Sequence, residues 1–470
     1  MRKTPGIKLS RRQRPLFGKK RRFASQAIRM PKPKQRFSMP SVSPRLEATQ
    51  ASRRPSVRRT PVTGPRQALR WALVSAAVFC TSAWPVDLHV TTVSQAELWG
   101  ITKSHFARAL AESDSWAAFS PSIDIAAHSQ ISCCDVNYTI DPELQSAVAA
   151  LIKRYNPDYA AFVALEPRSG RVLAMYSHMR DGRPPDNLAT KASFPAASVI
   201  KIVTAAAAID EGKVRADTVV PYNGKNSSLY KRQVFDHKDN KWTRRVSLRT
   251  AFARSVNTVF GRLGVFEVGA NGFMEYARRF GFNGSLHADF PVEMGTIEIK
   301  AGDDWSLVEA ASGYTRNTTM SPMQGAMMAA VVANDGIAVE PFLIQTANDE
   351  YGIEVYQAGG RDQKQVMTQD TAQQLKLLMR ETVRTGSARK SFRGFFKRSK
   401  SKPEVGGKTG SLTGLSPRGK NDWFVGYGRF GDKEIAFAAL TINIEKWRVK
   451  SAYIARKALE TYFKPNRDSS

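Results

Sequence analysis

Serine and lysine three residues apart can make a nucleophile and its base. The chain carries four such pairs: Ser198-Val-Ile-Lys201, Ser228-Leu-Tyr-Lys231, Ser387-Ala-Arg-Lys390 and Ser399-Lys-Ser-Lys402. Only the first has surroundings suited to the chemistry. It follows Phe194-Pro195-Ala196-Ala197 and opens the apolar run VIKIVTAAAAID, whose composition predicts a buried helix. On a helix that spacing puts the hydroxyl and the amine on one face. The helix N-terminus offers backbone N–H groups to an oxyanion. A lysine held in apolar surroundings is desolvated, which favours its neutral, basic form. The other three pairs lie in polar, basic loops where lysine stays protonated. By itself, Ser198/Lys201 would read equally well as a capping serine with a snorkelling lysine.

Two further elements change that balance. Ser255-Val256-Asn257 lies within AFARSVNTVFGRLG, and Lys408-Thr409-Gly410-Ser411 lies within VGGKTGSLTG beside a predicted strand. The order Ser-x-x-Lys, Ser-x-Asn, Lys-Thr-Gly resembles the penicillin-binding transpeptidase and serine β-lactamase superfamily. The likeness extends over residues 142–465. AFVALEPRSGRVLAM is similar to that family's opening hairpin, TTMSPMQGAMMAAVVANDGIAVEPFLI to its helix and turn before the third motif, and NDWFVGYGRF to the strand after it.

The resemblance implies roles. Ser198 would attack the carbonyl of a D-Ala-D-Ala bond, and Lys201 would take its proton, with Lys408 helping to depress the Lys201 pKa. Ser255 would relay the proton to the leaving amine, and Asn257 would hold the substrate amide. Lys408 and Thr409 would receive the terminal carboxylate, Gly410 would let the strand approach closely, and the N–H groups of Ser198 and Ser411 would form the oxyanion hole. The middle motif is Ser-Val-Asn rather than the Ser-Asp-Asn typical of class A β-lactamases, and no segment clearly supplies their deacylating glutamate. That departure favours a slow-hydrolysing penicillin-binding protein, and the expected activity is that of a D,D-transpeptidase making 4→3-type cross-links between peptidoglycan stem peptides and inhibited by β-lactams. A D,D-carboxypeptidase, a β-lactamase and a non-turnover wall-fragment sensor stay open, since the acceptor site is a groove and not a motif. No cofactor is implied. The six histidines and three cysteines form no HExxH pattern or close cluster, so no metal is expected.

The elements that must position these residues are partly readable. Tyr159–Leu165 and Arg171–Ser177 are apolar runs around a Glu166–Gly170 turn, a predicted hairpin. Asp422–Phe430, a Gly431-Asp432 turn and Glu434–Ile444 predict a second one, followed by a helix over Ser451–Phe463. Helical stretches lie between, at Ile200–Asp210, Met274–Phe280, Pro322–Asn334 and Thr371–Val383. The expected fold class is α/β, serine β-lactamase/transpeptidase-like, with an antiparallel sheet built from both ends of the domain and an inserted all-helical subdomain.

The rest of the 470 residues reads as delivery. Of the formal net charge of +30, residues 1–70 carry 21 Lys and Arg against one acid, Glu47, a net of +20. With 9 of the 24 prolines and no apolar period, this tail predicts disorder. Trp71–Val86 is uncharged and as a helix would span about 24 Å, close to a bilayer core with some snorkelling by Arg70. Basic residues before it and Asp87 after it fit a single inner-membrane anchor (71–87) with a cytoplasmic N-terminus and the catalytic domain outside. A buried helix or a cleaved leader is the alternative. The tail shows no nucleic-acid motif, so contact with anionic lipid or simple topogenic charge is preferred over nucleic acid. Residues 88–141 are expected to be a short membrane-proximal spacer, too short for a glycosyltransferase domain or a large pedestal. Leu98, Ile101, Phe106, Ala109 and Leu110 follow a rough helical period that would pack on the main domain. Cell-wall synthesis or division proteins are the candidate partners.

Overall fold

A computed structural model describes residues 100–113, 118–127, 130–181, 187–360, 362–395 and 402–464. The expected tail and anchor lie outside these residues. Among the described residues no helix is long and apolar enough to cross a membrane.

Helix α1 (Lys103–Glu112) leads into strands β1 (Ser122–Ala127) and β2 (Gln130–Tyr138). Helix α2 (Pro142–Tyr155) starts where the Asp141 carboxylate accepts the Leu144 N–H at 2.9 Å and Pro142 takes the first turn. Strands β3 (Tyr159–Leu165) and β4 (Val172–Met179) follow. Gly170 closes their turn at φ +80°, where a Cβ would stand 2.2 Å from the Glu340 carbonyl, so only glycine fits.

A 3₁₀ turn (Ala197–Ile200) runs into helix α3 (Lys201–Asp210), and helices α4 (Leu248–Ala253), α5 (Asn257–Arg262), α6 (Gly269–Arg279), α7 (Asp304–Ser312) and α8 (Pro322–Ala333) make the insertion. Strands β5 (Ile344–Asn348) and β6 (Glu354–Gln357), then helix α9 (Gln369–Arg384), lead back to the sheet. Strands β7 (Glu404–Leu415), β8 (Arg418–Phe430) and β9 (Lys433–Asn443) and helix α10 (Ser451–Tyr462) complete it.

The main sheet has the order β7-β8-β9-β3-β4, every neighbour antiparallel. The C-terminal strands therefore join the N-terminal hairpin through β9 and β3, so both ends of the domain build one sheet, as expected. β3 reads as a continuous apolar run because both its faces are buried. Ala161, Val163 and Leu165 enter the core shared with α3 and α8. Ala160, Phe162 and Ala164 enter a second core with α2 and α10.

The spacer expected over 88–141 is, in its described part, a folded piece of the same unit. β2 pairs with β5, giving a second sheet in the order β1-β2-β5-β6. Phe106 of α1 is fully buried with its ring 4.8 Å from that of Tyr356, and Lys103 pairs with Glu340 at 2.7 Å. Strand partners more than 200 residues away are invisible to a local reading. The alternation of Ile123, Ile125, Cys134 and Val136, all buried, was the local signal.

Candidate active site

The nucleophile turn is held from three sides. Phe194 pairs with Met320 in a short antiparallel ladder, and Trp423 of β8 donates its indole N–H to the Pro195 carbonyl at 2.9 Å. Ala197 adopts φ 49°, in the left-handed region that costs a residue with a Cβ roughly 1–2 kcal/mol. Gly313 lies against it, and a Cβ there would stand 2.0 Å from the Ala197 carbonyl oxygen. The kink presents Ser198 at the cleft just before Lys201 begins α3.

Lys201 is fully buried. Its ammonium nitrogen lies 2.7 Å from Ser198 Oγ and 2.9 Å from Asn257 Oδ1, and also donates to the Ser312 carbonyl. Phe260 covers it, ring centroid 5.7 Å away. No carboxylate is among these partners. Burial, and then the charge of Lys408, hold its pKa well below the ordinary lysine value.

Ser255 sits just past α4 at φ 56°. Its N–H donates to Phe252 O at 3.0 Å and that of Val256 to Ala251 O at 2.9 Å, the paired bonds of a Schellman ending. A serine thus occupies the position glycine usually takes, and its hydroxyl is fixed in direction. Asn257 opens α5, and its Nδ2 donates to Ser227 O at 3.1 Å. With that amide hydrogen committed, Oδ1 is left to accept from the donor-only ammonium of Lys201.

Lys408 projects inward from β7, also fully buried, against the Phe252 ring at 5.4 Å. It donates to Ser255 Oγ and to the Thr409 carbonyl, both at 2.9 Å. Burial lowers its pKa to about 7. Gly410 runs alongside the nucleophile turn, where a Cβ would be 3.0 Å from Val199 Cγ2 and 3.2 Å from Ala196 O. Ser411 pairs with Asp422 across β7 and β8.

All eight residues named from the sequence therefore converge. Ser198, Ser255, Asn257, Thr409, Gly410 and Ser411 line a cavity of about 700 Å³, and Lys201 and Lys408 lie beneath its floor. Sequence reasoning missed Ser387, whose hydroxyl is 2.6 Å from that of Thr409. It belongs to one of the discarded Ser-x-x-Lys pairs: its lysine, Lys390, is exposed at the rim of the cleft and Ser387 faces Thr409 instead. Of the other two pairs, Ser228 is tied to Lys225 O and Gln233, and Ser399 lies outside the described residues. The Ser312 carbonyl and Gly313 were missed as well, because a backbone contact leaves no side-chain signature.

A hydroxyl beside a buried, carboxylate-free lysine, facing a second lysine across a groove, defines a serine acyl-transfer site. Residues 160–460 match the penicillin binding protein transpeptidase domain, and the chain belongs to that family. It is 24% identical over 343 residues to the peptidoglycan D,D-transpeptidase PbpA of Mycobacterium tuberculosis, covering 66% of this chain and 67% of that one. It is 25% identical over 370 residues to penicillin-binding protein 3 of Bacillus subtilis, 70% of this chain and 50% of that one. The crystal structure of the M. tuberculosis PBPA superposes with a TM-score of 0.58 at 23% identity, covering 70% of this chain and 83% of that one. Its penicillin G acyl-enzyme complex gives 0.54 at 23% identity, covering 70% and 81%. These superpositions establish a shared fold.

Proposed function

We propose that the protein is a peptidoglycan D,D-transpeptidase whose acyl-enzyme forms on Ser198. The observation that carries this reading is Lys201: an amine in an apolar, carboxylate-free site, 2.7 Å from the Ser198 hydroxyl. Two lysines buried so close together disfavour a double positive charge. Lys201, the amine beside the nucleophile, acts as the neutral base, and Lys408 carries the charge that a carboxylate needs.

The steps follow from the geometry. A D-Ala-D-Ala terminus lies along β7 with its carboxylate toward Lys408, Thr409 and Ser387. Ser198 Oγ attacks the penultimate carbonyl while Lys201 takes its proton, and the N–H groups of Ser198 and Ser411 stabilise the oxyanion. The C–N bond breaks as Ser255 passes its proton to the leaving D-Ala amine and takes one from Lys408, to which it is hydrogen-bonded. Asn257 both orients Lys201 and offers its amide to the substrate. The acyl carbon is then attacked by the amine of a second stem peptide. A new amide forms, the ester to Ser198 breaks as Lys201 returns its proton to Ser198 Oγ, and the proton lost by the amine passes through Ser255 back to Lys408. A β-lactam would enter the same first step without a leaving amine that departs.

The basic tail and the apolar segment before residue 87 support a cytoplasmic N-terminus, a single inner-membrane anchor and a catalytic domain outside. Labelling of membranes with a fluorescent penicillin tests the site: wild type is labelled and Ser198→Ala is not. Labelling of the variant, or none of the wild type, overturns the assignment. Supplied with a donor pentapeptide and an amine acceptor, the protein should give dimeric product. Release of D-Ala alone would make it a carboxypeptidase, and acylation without turnover a sensor.

A further inference from the structure

Beside the catalytic cleft lies a larger cavity, about 1150 Å³, between the end of α9, the turns that follow it and the start of β7. Its lining holds Arg380, Arg384, Arg389, Lys390, Arg393 and Lys402. Glu404 is the carboxylate in that lining; it accepts from the Tyr427 hydroxyl at 3.0 Å and lies 4.0 Å from Arg380. Among the described residues, no carboxylate pairs with Arg384, Arg389, Lys390, Arg393 or Lys402, and all five are exposed. The sequence concentrates charge here as well. The described residues of this stretch, 380–395 and 402, hold six Lys and Arg against one acid, Glu381, a net of +5. The whole chain after residue 70 has 50 basic and 40 acidic residues, a net of +10. Like charges gathered in a concavity repel one another and focus a positive potential, an arrangement suited to an anionic occupant.

The described part of the segment carrying these cations, up to Phe395, is held by specific contacts. Phe392 is buried, with its ring 5.5 Å from Phe424. Ser387 N–H donates to Ala253 O at 3.0 Å, and Arg456 donates to the Ser391 and Arg393 carbonyls at 3.1 and 2.9 Å. It also touches the chemistry, because Ser387 bonds Thr409 and Lys390 lines both the cavity and the cleft. Lys390 is thus shared by the linings of the Ser198 cleft and the second cavity.

We propose that this cavity is the docking site for the acceptor, an acidic peptide whose free carboxylates engage Arg384, Arg389 and Arg393 while its amine reaches the acylated Ser198. The inference rests on the transpeptidase reading, which requires a second peptide at a cleft already occupied along β7 by the first. The shared Lys390 is what favours a peptide over an anionic surface that would stop at the rim.

The test separates the two readings. Full-length protein is acylated with a thioester donor, and the acyl group partitions between water and an added amine. Two acceptors are compared, a peptide with two free carboxylates and the same peptide with both amidated. Wild type should prefer the acidic acceptor by about tenfold, and the preference should shrink as NaCl rises from about 0.05 to 0.5 M. In R384Q/R389Q the preference should fall to within about twofold, while acylation by fluorescent penicillin, which also reports folding, stays at the wild-type rate. Should the double variant be poorly folded, R393Q gives the same comparison. No preference in wild type, or a preference that survives in penicillin-reactive R384Q/R389Q, overturns the proposal. So does loss of binding to phosphatidylglycerol vesicles in the variant with the acceptor preference intact. Absence of penicillin labelling in wild type would instead sink the transpeptidase reading itself.

Discussion

The two faces of the main sheet are built on opposite terms. One face, under α3 and α8, holds the two buried lysines, Asn257 and the left-handed Ala197, with Ser255 close by. The other face is an aromatic core in which Phe424 lies 5.8 Å from Phe437 and 5.5 Å from Phe392, with Phe162 stacked on Phe437 at 6.5 Å. The two desolvated lysines thus sit on the face that does chemistry, and the aromatic packing of the other face offsets their cost. Substitutions on the two faces should therefore separate activity from stability.

The largest effect is expected at Lys201. Lys201→Ala should lower the rate of penicillin acylation about a thousandfold through loss of the base, with thermal stability unchanged or raised because a buried amine has gone. Stopped-flow acylation and a melting curve check both halves, and a collapse of Tm with modest loss of rate would erase the contrast. Phe437→Ala on the opposite face should cost about 3–5 kcal/mol of stability in urea unfolding, while the surviving folded fraction acylates at the wild-type rate.

Lys408→Ala comes next, with an expected fall of about 10- to 100-fold in kcat/KM for a substrate bearing a terminal carboxylate, one charge-assisted contact being lost. The effect should be much smaller for the same substrate with that carboxylate amidated. The matching pH experiment follows from the Lys408 pKa of about 7. In the free enzyme Lys408 is charged below that pH and neutral above it. Capture of the carboxylate substrate should decline as pH rises through about 7, and the amidated substrate should show no such limb. Equal limbs for both substrates would remove Lys408 from carboxylate binding.

The same contrast explains what could be read from the sequence. β3 was legible to the residue, because a short apolar run separated from a second one by the Glu166–Gly170 turn reads as the first strand of a hairpin. The nucleophile pair was legible because apolar neighbours distinguish a desolvated lysine from three solvated ones. Other elements start away from their expected ends. β8 begins at Arg418 and not Asp422, and α6 begins at Gly269, five residues before the expected Met274. Polar or glycine-rich first turns carry no apolar period there. Ser387 and the β1-β2 hairpin were hidden for a different reason: their partners, Thr409 and β5, lie 22 and more than 200 residues away, and nothing in either segment names them.

The smallest effect tests where the two faces meet, at Asp422. This carboxylate is buried on the far side of β8 from Trp423, accepts the Ser451 N–H at the start of α10 at 2.9 Å, and has Lys450 at 3.9 Å. Burial dominates these contacts and raises its pKa to about 6. The folded state therefore binds the proton more tightly than the unfolded chain does. The stability linked to that proton is fully present below the unfolded value of 3.8 and is lost as pH rises through about 6. Asn at this position keeps an oxygen for the Ser451 N–H and never ionises, and the exposed Lys450 contact contributes little. Asp422→Asn should therefore be more stable than wild type at pH 7.5, with the difference closing by about pH 4. Urea unfolding of both proteins at the two pH values measures it. A variant less stable at pH 7.5 would mean that the ionised carboxylate supports α10.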